Sequence, residues 1–119
     1  MTERTFLAVN RAALIVKPKR PFFNWANSLE GPSLNPDEPL YDPPIYLVEE
    51  VEFSPDPGPA LQKHHKAIFE HELAAWYLDE TAWPPTRDLA TFNEWFDVEL
   101  RSLLVDLSDY QLEVEELGA

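Results

Sequence analysis

The sequence predicts a small α/β (α+β) domain with the element order β-α-β-α-α-β. Its 119 residues are 45% hydrophobic and include four tryptophans, which is enough to build one core. One segment in the middle of the chain, residues 61–78, has helical periodicity without proline or glycine. Three other apolar segments have the residue types of strands, and prolines break the chain between elements. We therefore expect one domain over residues 1–119.

The first strand is predicted at residues 6–17. Its central run, residues 12–16, is apolar on both faces, which is typical of a central strand that is covered on both sides. Prolines at positions 18 and 21 end the strand, and Pro21 suits the first turn of a helix. The apolar side chains that follow have helical spacing: Phe22, Trp25, Ala26 and Leu29. Gly31-Pro32 ends this first helix.

Three basic side chains lie just before the first helix: Lys17, Lys19 and Arg20. Positive charge and free backbone amides converge at a helix N-terminus, so this stretch is a candidate anion site. It lacks the glycine-rich turn that lets a phosphate approach closely. The alternative is that the three cations are simply solvated.

Residues 31–44 contain five prolines and are predicted to be an extended loop, packed in part through Leu34, Leu40 and Tyr41. The second strand follows at residues 45–53. Its apolar side chains alternate with polar ones, and Ile45, Leu47, Val51 and Phe53 share one face. We expect this strand to have one wet face and to lie near the edge of the sheet.

The predicted central helix, residues 61–78, packs on the core through one broad apolar arc: Leu61, Ile68, Phe69, Leu73, Ala75 and Trp76. His65 and Glu72 interrupt this arc, and each needs a partner from another element because an unpaired buried charge is costly. One hypothesis makes Glu72 a carboxyl with a raised pKa and a general acid or base, in a site with His65, Arg11 and a Trp76 wall. The alternative pairs Glu72 with Arg11 or Arg101, or places it at the rim of the core.

The three histidines, His64, His65 and His71, also lie on the central helix. Two histidines on a helix bind one ion at i, i+3 or i, i+4 spacing, whereas His64 and His71 are seven residues apart. The sequence His71-Glu72 does not continue into an HExxH motif, and the chain has no cysteine. We therefore predict no metal site and no cofactor.

A short third helix is predicted after Trp83-Pro84-Pro85, with Thr86 as its N-cap. Its buried stripe is Leu89, Phe92, Trp95 and Phe96. Residues 97–107 fit a strand better than a helix, because a helix would place Arg101 among its apolar positions. A right-handed crossover would make the first two strands parallel, which predicts a mixed three-stranded sheet of order 2-1-3 with the third strand's direction open. Residues 108–119 are predicted to be an acidic tail, frayed apart from Tyr110 and Leu112.

The net charge of −13 is unevenly distributed. Residues 1–29 hold five basic and one acidic side chain, a net +4, whereas residues 30–119 hold four basic and 21 acidic ones, a net −17. Such a surface repels phosphate backbones, so we expect no nucleic-acid partner. It suits a basic protein partner, or it serves only solubility. Without a signal peptide or a membrane span in the sequence, we expect a cytoplasmic protein that does not bind membranes.

Several stretches of the chain together resemble a group of short, acidic, uncharacterised bacterial proteins. These stretches are residues 10–19 and 22–25, Tyr46-Leu47-Val48, Glu72-Leu73 with Trp76-Tyr77, Trp83-Pro84, and Phe92 with Glu94-Trp95-Phe96. The resemblance covers most of the chain except the proline-rich loop and the tail. It implies a bacterial cytosolic single domain and no established activity.

The sequence thus favours a small acidic interaction module that binds a basic partner. The alternative is an enzyme or small-ligand binder whose site gathers Glu72, His65 and Arg11. No G-x-S-x-G motif is present, and three glycines leave little room for a phosphate cradle, so the balance lies against an enzyme. The oligomeric state stays open.

Overall fold

The computed structural model describes residues 5–29, 31, 42–52 and 56–117, and these form an α+β domain. Its five strands are β1 (Leu7–Val9), β2 (Ala12–Pro18), β3 (Ile45–Val48), β4 (Phe96–Arg101) and β5 (Leu104–Asp106). Its three helices are α1 (Arg20–Ser28), α2 (Gly58–Trp76) and α3 (Leu89–Trp95). A single 3₁₀ turn, Glu80–Ala82, precedes α3. Most of the proline-rich loop, residues 32–41, lies outside the described residues, as do the predicted packing of Leu34, Leu40 and Tyr41 and the inward position of Phe53.

The main sheet has β2 at its centre, with β3 on one side and β4 on the other. Both pairs are antiparallel, with Ala12 opposite Val48 and Val16 opposite Val98. The predicted mixed sheet, with the first two strands parallel, is therefore wrong. The crossover rule fixes the hand of a parallel connection but does not make a connection parallel. Because 16 residues separate α1 from β3, the chain has enough length to return to either end of β2.

The predicted strands at residues 6–17 and 97–107 are each divided in two, so that β1 and β5 form a second, two-stranded antiparallel sheet. The register shows why. Val9 lies opposite Leu104 and Ala13 lies opposite Arg101. The four residue steps from Val9 to Ala13 therefore match only three steps from Leu104 to Arg101. The extra residue is a β-bulge at Asn10-Arg11. We call the pair of strands beyond it, β1 and β5, the ribbon.

The core lies between the main sheet and the three helices. The inward face of β2 is almost completely buried, and it meets the apolar side chains of α2 and α3 in one cluster. At its centre Phe69, Phe92 and Phe96 pack ring against ring, with centroids 4.9 to 5.9 Å apart. Such contacts at close range favour tilted and edge-on geometries, which is what these rings adopt. Within the predicted arc of α2, Ala75 is exposed, whereas Glu72 is buried.

Three indole N–H groups fasten the helix ends to the neighbouring turns. Trp25 donates to the carbonyl of Ala82 at 2.8 Å, and Trp76 donates to that of Ala26 at 3.0 Å. Trp83, which is buried in the turn after α2, donates to the carbonyl of Tyr77 at 2.8 Å. These bonds satisfy buried donors that would otherwise be costly.

The second strand turns a different face inward than its pattern predicted. In β3 the side chains of Tyr46 and Val48 face the core, while Ile45 and Leu47 are more than half exposed. Ile45 and Leu47 are more hydrophobic than Tyr46. The inward face, however, is the one on which α2 supplies a hydrogen-bond partner for the Tyr46 hydroxyl. At the C-terminus, Tyr110 and Leu112 are also exposed, so the expectation that they pack is wrong.

Helix α3 begins two residues later than predicted, because Asp88 rather than Thr86 is its N-cap. The Asp88 carboxylate accepts a hydrogen bond from the backbone N–H of Thr91 at 2.8 Å, and its hydrogen bonds to Thr91 hold the pKa of Asp88 below its usual value.

Asp88→Ala is expected to lower the melting temperature by a few degrees at pH 7, whereas Asp88→Asn keeps the acceptor and most of the stability. Because the folded-state pKa is lowered, the ionised cap stabilises above the usual aspartate pKa, and the difference shrinks as pH falls through the lowered value. Thermal unfolding of both variants at pH 7 and pH 3 measures this. Equal losses for alanine and asparagine would contradict the capping role.

Within the described ranges, no helix is both long enough and apolar enough to span a bilayer.

Candidate functional site

A chain of three polar side chains runs from the surface into the core between α2 and β3. Glu72 is only 6% exposed, Tyr46 is half-buried, and His71 is exposed. The Tyr46 hydroxyl lies 2.8 Å from Nδ1 of His71 and also hydrogen bonds to the Glu72 carboxylate. The helix places residues 71 and 72 side by side, and β3 projects Tyr46 inward between them. The arrangement thus joins a buried carboxyl to a surface imidazole through one phenol.

Burial dominates the electrostatics of this chain. It raises the pKa of Glu72, because the charged form loses its hydration, and the hydrogen bond from Tyr46 offsets part of that rise. Burial and the neighbouring Glu72 carboxylate raise the pKa of Tyr46 as well, so the phenol keeps its proton. A phenol has one proton to donate. When the Tyr46 hydroxyl donates its hydrogen bond to Glu72, the Tyr46 oxygen accepts a hydrogen bond from Nδ1–H of His71.

Chemically, these three groups can pass a proton between the surface and a buried carboxyl. A catalytic site also needs a space beside the reactive group in which a substrate is held. Two open depressions, of about 490 and 520 Å³, lie elsewhere: the first at the bulge and the end of β3, the second along β1. Neither of them is lined by Glu72, Tyr46 or His71.

The four residues predicted to form a site make separate contacts. His65 donates from Nδ1–H to the Leu61 carbonyl at 2.8 Å, and the Trp76 indole N–H donates to the Ala26 carbonyl of α1. Arg11 donates to the Asn10 carbonyl at 2.7 Å and lines the depression at the bulge. Among the described residues no ion pair joins Glu72 to Arg11 or to Arg101, and the partner of Glu72 is a tyrosine. Arg101 instead pairs with Glu99 at 3.1 Å.

The candidate anion site keeps little free positive charge. Lys17 lies 3.3 Å from the Glu99 carboxylate on β4. Lys19 donates to the Asn93 carbonyl at 3.0 Å and lies 3.9 Å from Asp97. Only the third cation, Arg20, makes no such bond in the part of the chain that the structure describes. Strand β4 therefore uses two of the three cations to fasten itself to β2 and α1.

Each histidine has its own partner: Glu49 for His64, the Leu61 carbonyl for His65 and Tyr46 for His71. His64 lies 2.6 Å from Glu49, which also hydrogen bonds Lys63. The bonds from Lys63 and His64 lower the pKa of Glu49 to about 2, so this carboxylate ties the end of β3 to α2. In the described ranges, no group of three or more histidine and acidic side chains is arranged to hold a metal ion.

Sequence reasoning identified Glu72 but missed Tyr46. The alternation of the second strand placed Tyr46 on the face shared with Glu50 and Glu52, which suggested a wet position. Two requirements, taken together, could have identified Tyr46 from the sequence. A glutamate in an apolar helical arc needs a donor, and a tyrosine in an apolar strand brings a donor on a large apolar ring.

A second feature is the C-terminal segment of residues 103–117, in which all side chains but those of residues 104 and 106 are exposed. We call it the acidic apolar surface. It carries apolar side chains that are largely exposed: Leu103, Val105, Leu107, Tyr110, Leu112, Val114 and Leu117. Five carboxylates lie between them and no basic residue does: Asp106, Asp109, Glu113, Glu115 and Glu116. Exposed apolar groups in such number are typical of contact surfaces.

No protein-family model matches the chain, no curated protein shows significant similarity to it, and no solved structure does.

Proposed function

We propose that the protein is a small acidic interaction module that binds a basic protein partner. The observation that supports this is the acidic apolar surface, in which exposed apolar side chains alternate with carboxylates and no cation intervenes. Apolar contact supplies binding energy, and the surrounding negative charge selects for a basic partner. The same charge disfavours nucleic acid. We place this function in the bacterial cytosol, in line with the resemblance described above.

The distribution of ion pairs supports the same proposal. Five of the eight basic side chains in the described residues lie within 4.0 Å of a carboxylate: Lys17, Lys19, Lys63, Arg87 and Arg101. Most of the described cations thus pair with carboxylates elsewhere in the domain, and none of these five pairs with a carboxylate of residues 103–117. The external field of the molecule is therefore strongly negative, and it would accelerate the approach of a basic partner.

The test is an affinity capture from bacterial cytosol at about 0.05 M and about 0.5 M salt, between which the screening length falls several-fold. We expect a basic protein to be retained in stoichiometric amount at low salt and released at high salt. A variant with Asp109, Glu113, Glu115 and Glu116 changed to the matching amides should lose it. A control with four amides at Asp42, Glu50, Glu52 and Glu94 removes equal charge elsewhere and should keep most of the binding. Equal loss in the two variants would leave only the net charge as the cause, and a partner unaffected by salt would contradict the proposal.

A ligand-binding or catalytic role at Glu72 is the second candidate, favoured by the raised pKa of this buried carboxyl and its link to His71. It predicts that a small molecule from the cytosol shifts the NMR signals of Tyr46 and His71 in a saturable way, and that Glu72→Gln removes this shift. A fraction-by-fraction screen of cytosolic extract against labelled protein measures it. No saturable shift at these residues would leave Glu72 with a structural role.

A further inference from the structure

The outer edge of β1 carries no strand in the part of the chain that the structure describes. On one side β1 pairs with β5. On the other side, β3 ends its pairing with the rung that joins Ala12 to Val48, before the bulge. The backbone N–H and C=O groups on this edge of Leu7–Val9 therefore point away from the ribbon. An unpaired edge is a template for another strand.

A depression of about 520 Å³ lies beside β1. One wall is formed by residues 7–10, and the other by Asp106 of β5 and residues 108–112. Two side-chain-assisted turns shape the second wall: Ser108 N–H donates to Asp106 at 2.9 Å, and Tyr110 N–H donates to the Ser108 hydroxyl at 3.0 Å.

The apolar side chains around this depression are open to solvent. Leu7 is 56% exposed, Tyr110 86% and Leu112 58%. Half of the residues of the ribbon are exposed, and none is fully buried. An isolated two-stranded sheet is at best marginally stable, and a third strand would bury these groups and complete the ladder. The ribbon would therefore gain stability from an added strand.

Charge decides between a second copy and a different partner. Each copy carries a net charge of −13, and two copies joined at this edge would bring their acidic residues together. Asp106 and Asp109 line the depression and Glu113 follows it, while Arg11 beyond its far end is bonded to the Asn10 carbonyl. The site therefore complements positive charge along most of its length.

We propose that the outer edge of β1 binds an extended segment of a basic partner protein by strand addition, with basic and apolar side chains alternating along that segment. This inference rests on the proposed function and specifies its mode: backbone hydrogen bonds to β1 set the alignment, and Leu7, Tyr110 and Leu112 cover the apolar side chains of the segment. The carboxylates receive the basic ones.

The probe is an octapeptide of alternating lysine and valine at about 0.05 M salt. Its control is the same peptide with alternate backbone nitrogens methylated, which keeps charge and side chains but removes donors on one edge. We expect the methylated peptide to bind at least about tenfold more weakly, the effect of losing about two hydrogen bonds. The unmethylated peptide should also slow amide hydrogen exchange at one or two of residues 7–9. Asp109→Asn should weaken both peptides, whereas Glu94→Gln, on α3, should weaken neither.

Equal affinity of the two peptides, without slowed exchange in β1, would overturn strand addition while leaving a charge-driven interaction module in place. No binding by either peptide would overturn the inference and count against the proposed function as well. Sedimentation of the protein alone as a dimer, abolished by Leu7→Pro and Ala8→Pro, would assign the edge to a second copy and overturn the proposal.

Discussion

Replacing Phe69 with alanine is expected to lower the free energy of unfolding by about 3–5 kcal/mol. The side chain is fully buried, and its ring lies 5.4 Å from those of Trp95 and Phe96 and 5.9 Å from that of Phe92. Removing it leaves a cavity that rigid aromatic neighbours cannot fill by a small shift. A domain of this size has a total stability of roughly 5–15 kcal/mol, so a large share would be lost.

Urea denaturation followed by circular dichroism measures this change. Phe6→Ala is the matched control, because Phe6 is 66% exposed and the same atoms are removed. We expect the control to change stability by less than about 0.5 kcal/mol. A loss at Phe69 no greater than that at Phe6 would show that the aromatic cluster does not form the centre of the core.

Above the raised pKa of Glu72, Tyr46→Phe is expected to lower the free energy of unfolding by about 2 kcal/mol, since it leaves the buried Glu72 carboxylate without its donor. The cost depends on the charge of that carboxylate. Burial raises the folded-state pKa of Glu72, so the protein is most stable where Glu72 is protonated in both states, and stability falls as pH rises from the usual glutamate pKa through the raised one. Loss of the Tyr46 hydroxyl raises this pKa further. The effect of the variant should therefore be small at pH 4 and largest above the raised pKa.

The second half of the test is a double-mutant cycle with Glu72→Gln. An amide in place of the carboxylate removes the buried charge, so Glu72→Gln alone should raise stability above the raised pKa of Glu72 and leave it almost unchanged at pH 4. In that background Tyr46→Phe should cost only about 1 kcal/mol, the value of a neutral hydrogen bond. Glu94→Gln, at an exposed position of α3, is the control for a change of net charge. Additive losses, independent of pH, would contradict a hydrogen bond between Tyr46 and an ionised Glu72.

Local patterns predicted the helices well. Helix α2 has a long apolar arc with no interior proline, and the predicted stripe of the third helix correctly placed Phe92 in the core. Phe96 is buried as expected, but it is the first residue of β4 and does not belong to that helix. The strand assignment of residues 97–107 was also correct in kind, because β4 and β5 both fall inside or next to that range. These features depend on side-chain periodicity, which a single sequence records directly.

Long-range features escaped prediction for a physical reason. The bulge at Asn10-Arg11 depends on the offset between two strands about 90 residues apart, and neither strand alone records that offset. The antiparallel direction of β3 depends on the path of a long connection. The contact between Tyr46 and Glu72 depends on which face of β3 turns inward, and β3 is apolar on both faces. In the candidate site, therefore, the carboxyl could be predicted from its helix, but its partner required the tertiary fold.

The positions of the tryptophans determine what intrinsic fluorescence can observe. Three of the four indoles fasten helix ends, and the fourth, Trp95, closes α3 against the phenylalanine cluster, so the ribbon contains none. An emission spectrum thus follows the helical layer and is silent when β1 and β5 separate. Because the chain has no cysteine, one introduced at Val105 would accept a single dye without competition. Tryptophan emission and dye emission would then report separately on the helical layer and on the ribbon of the same molecule.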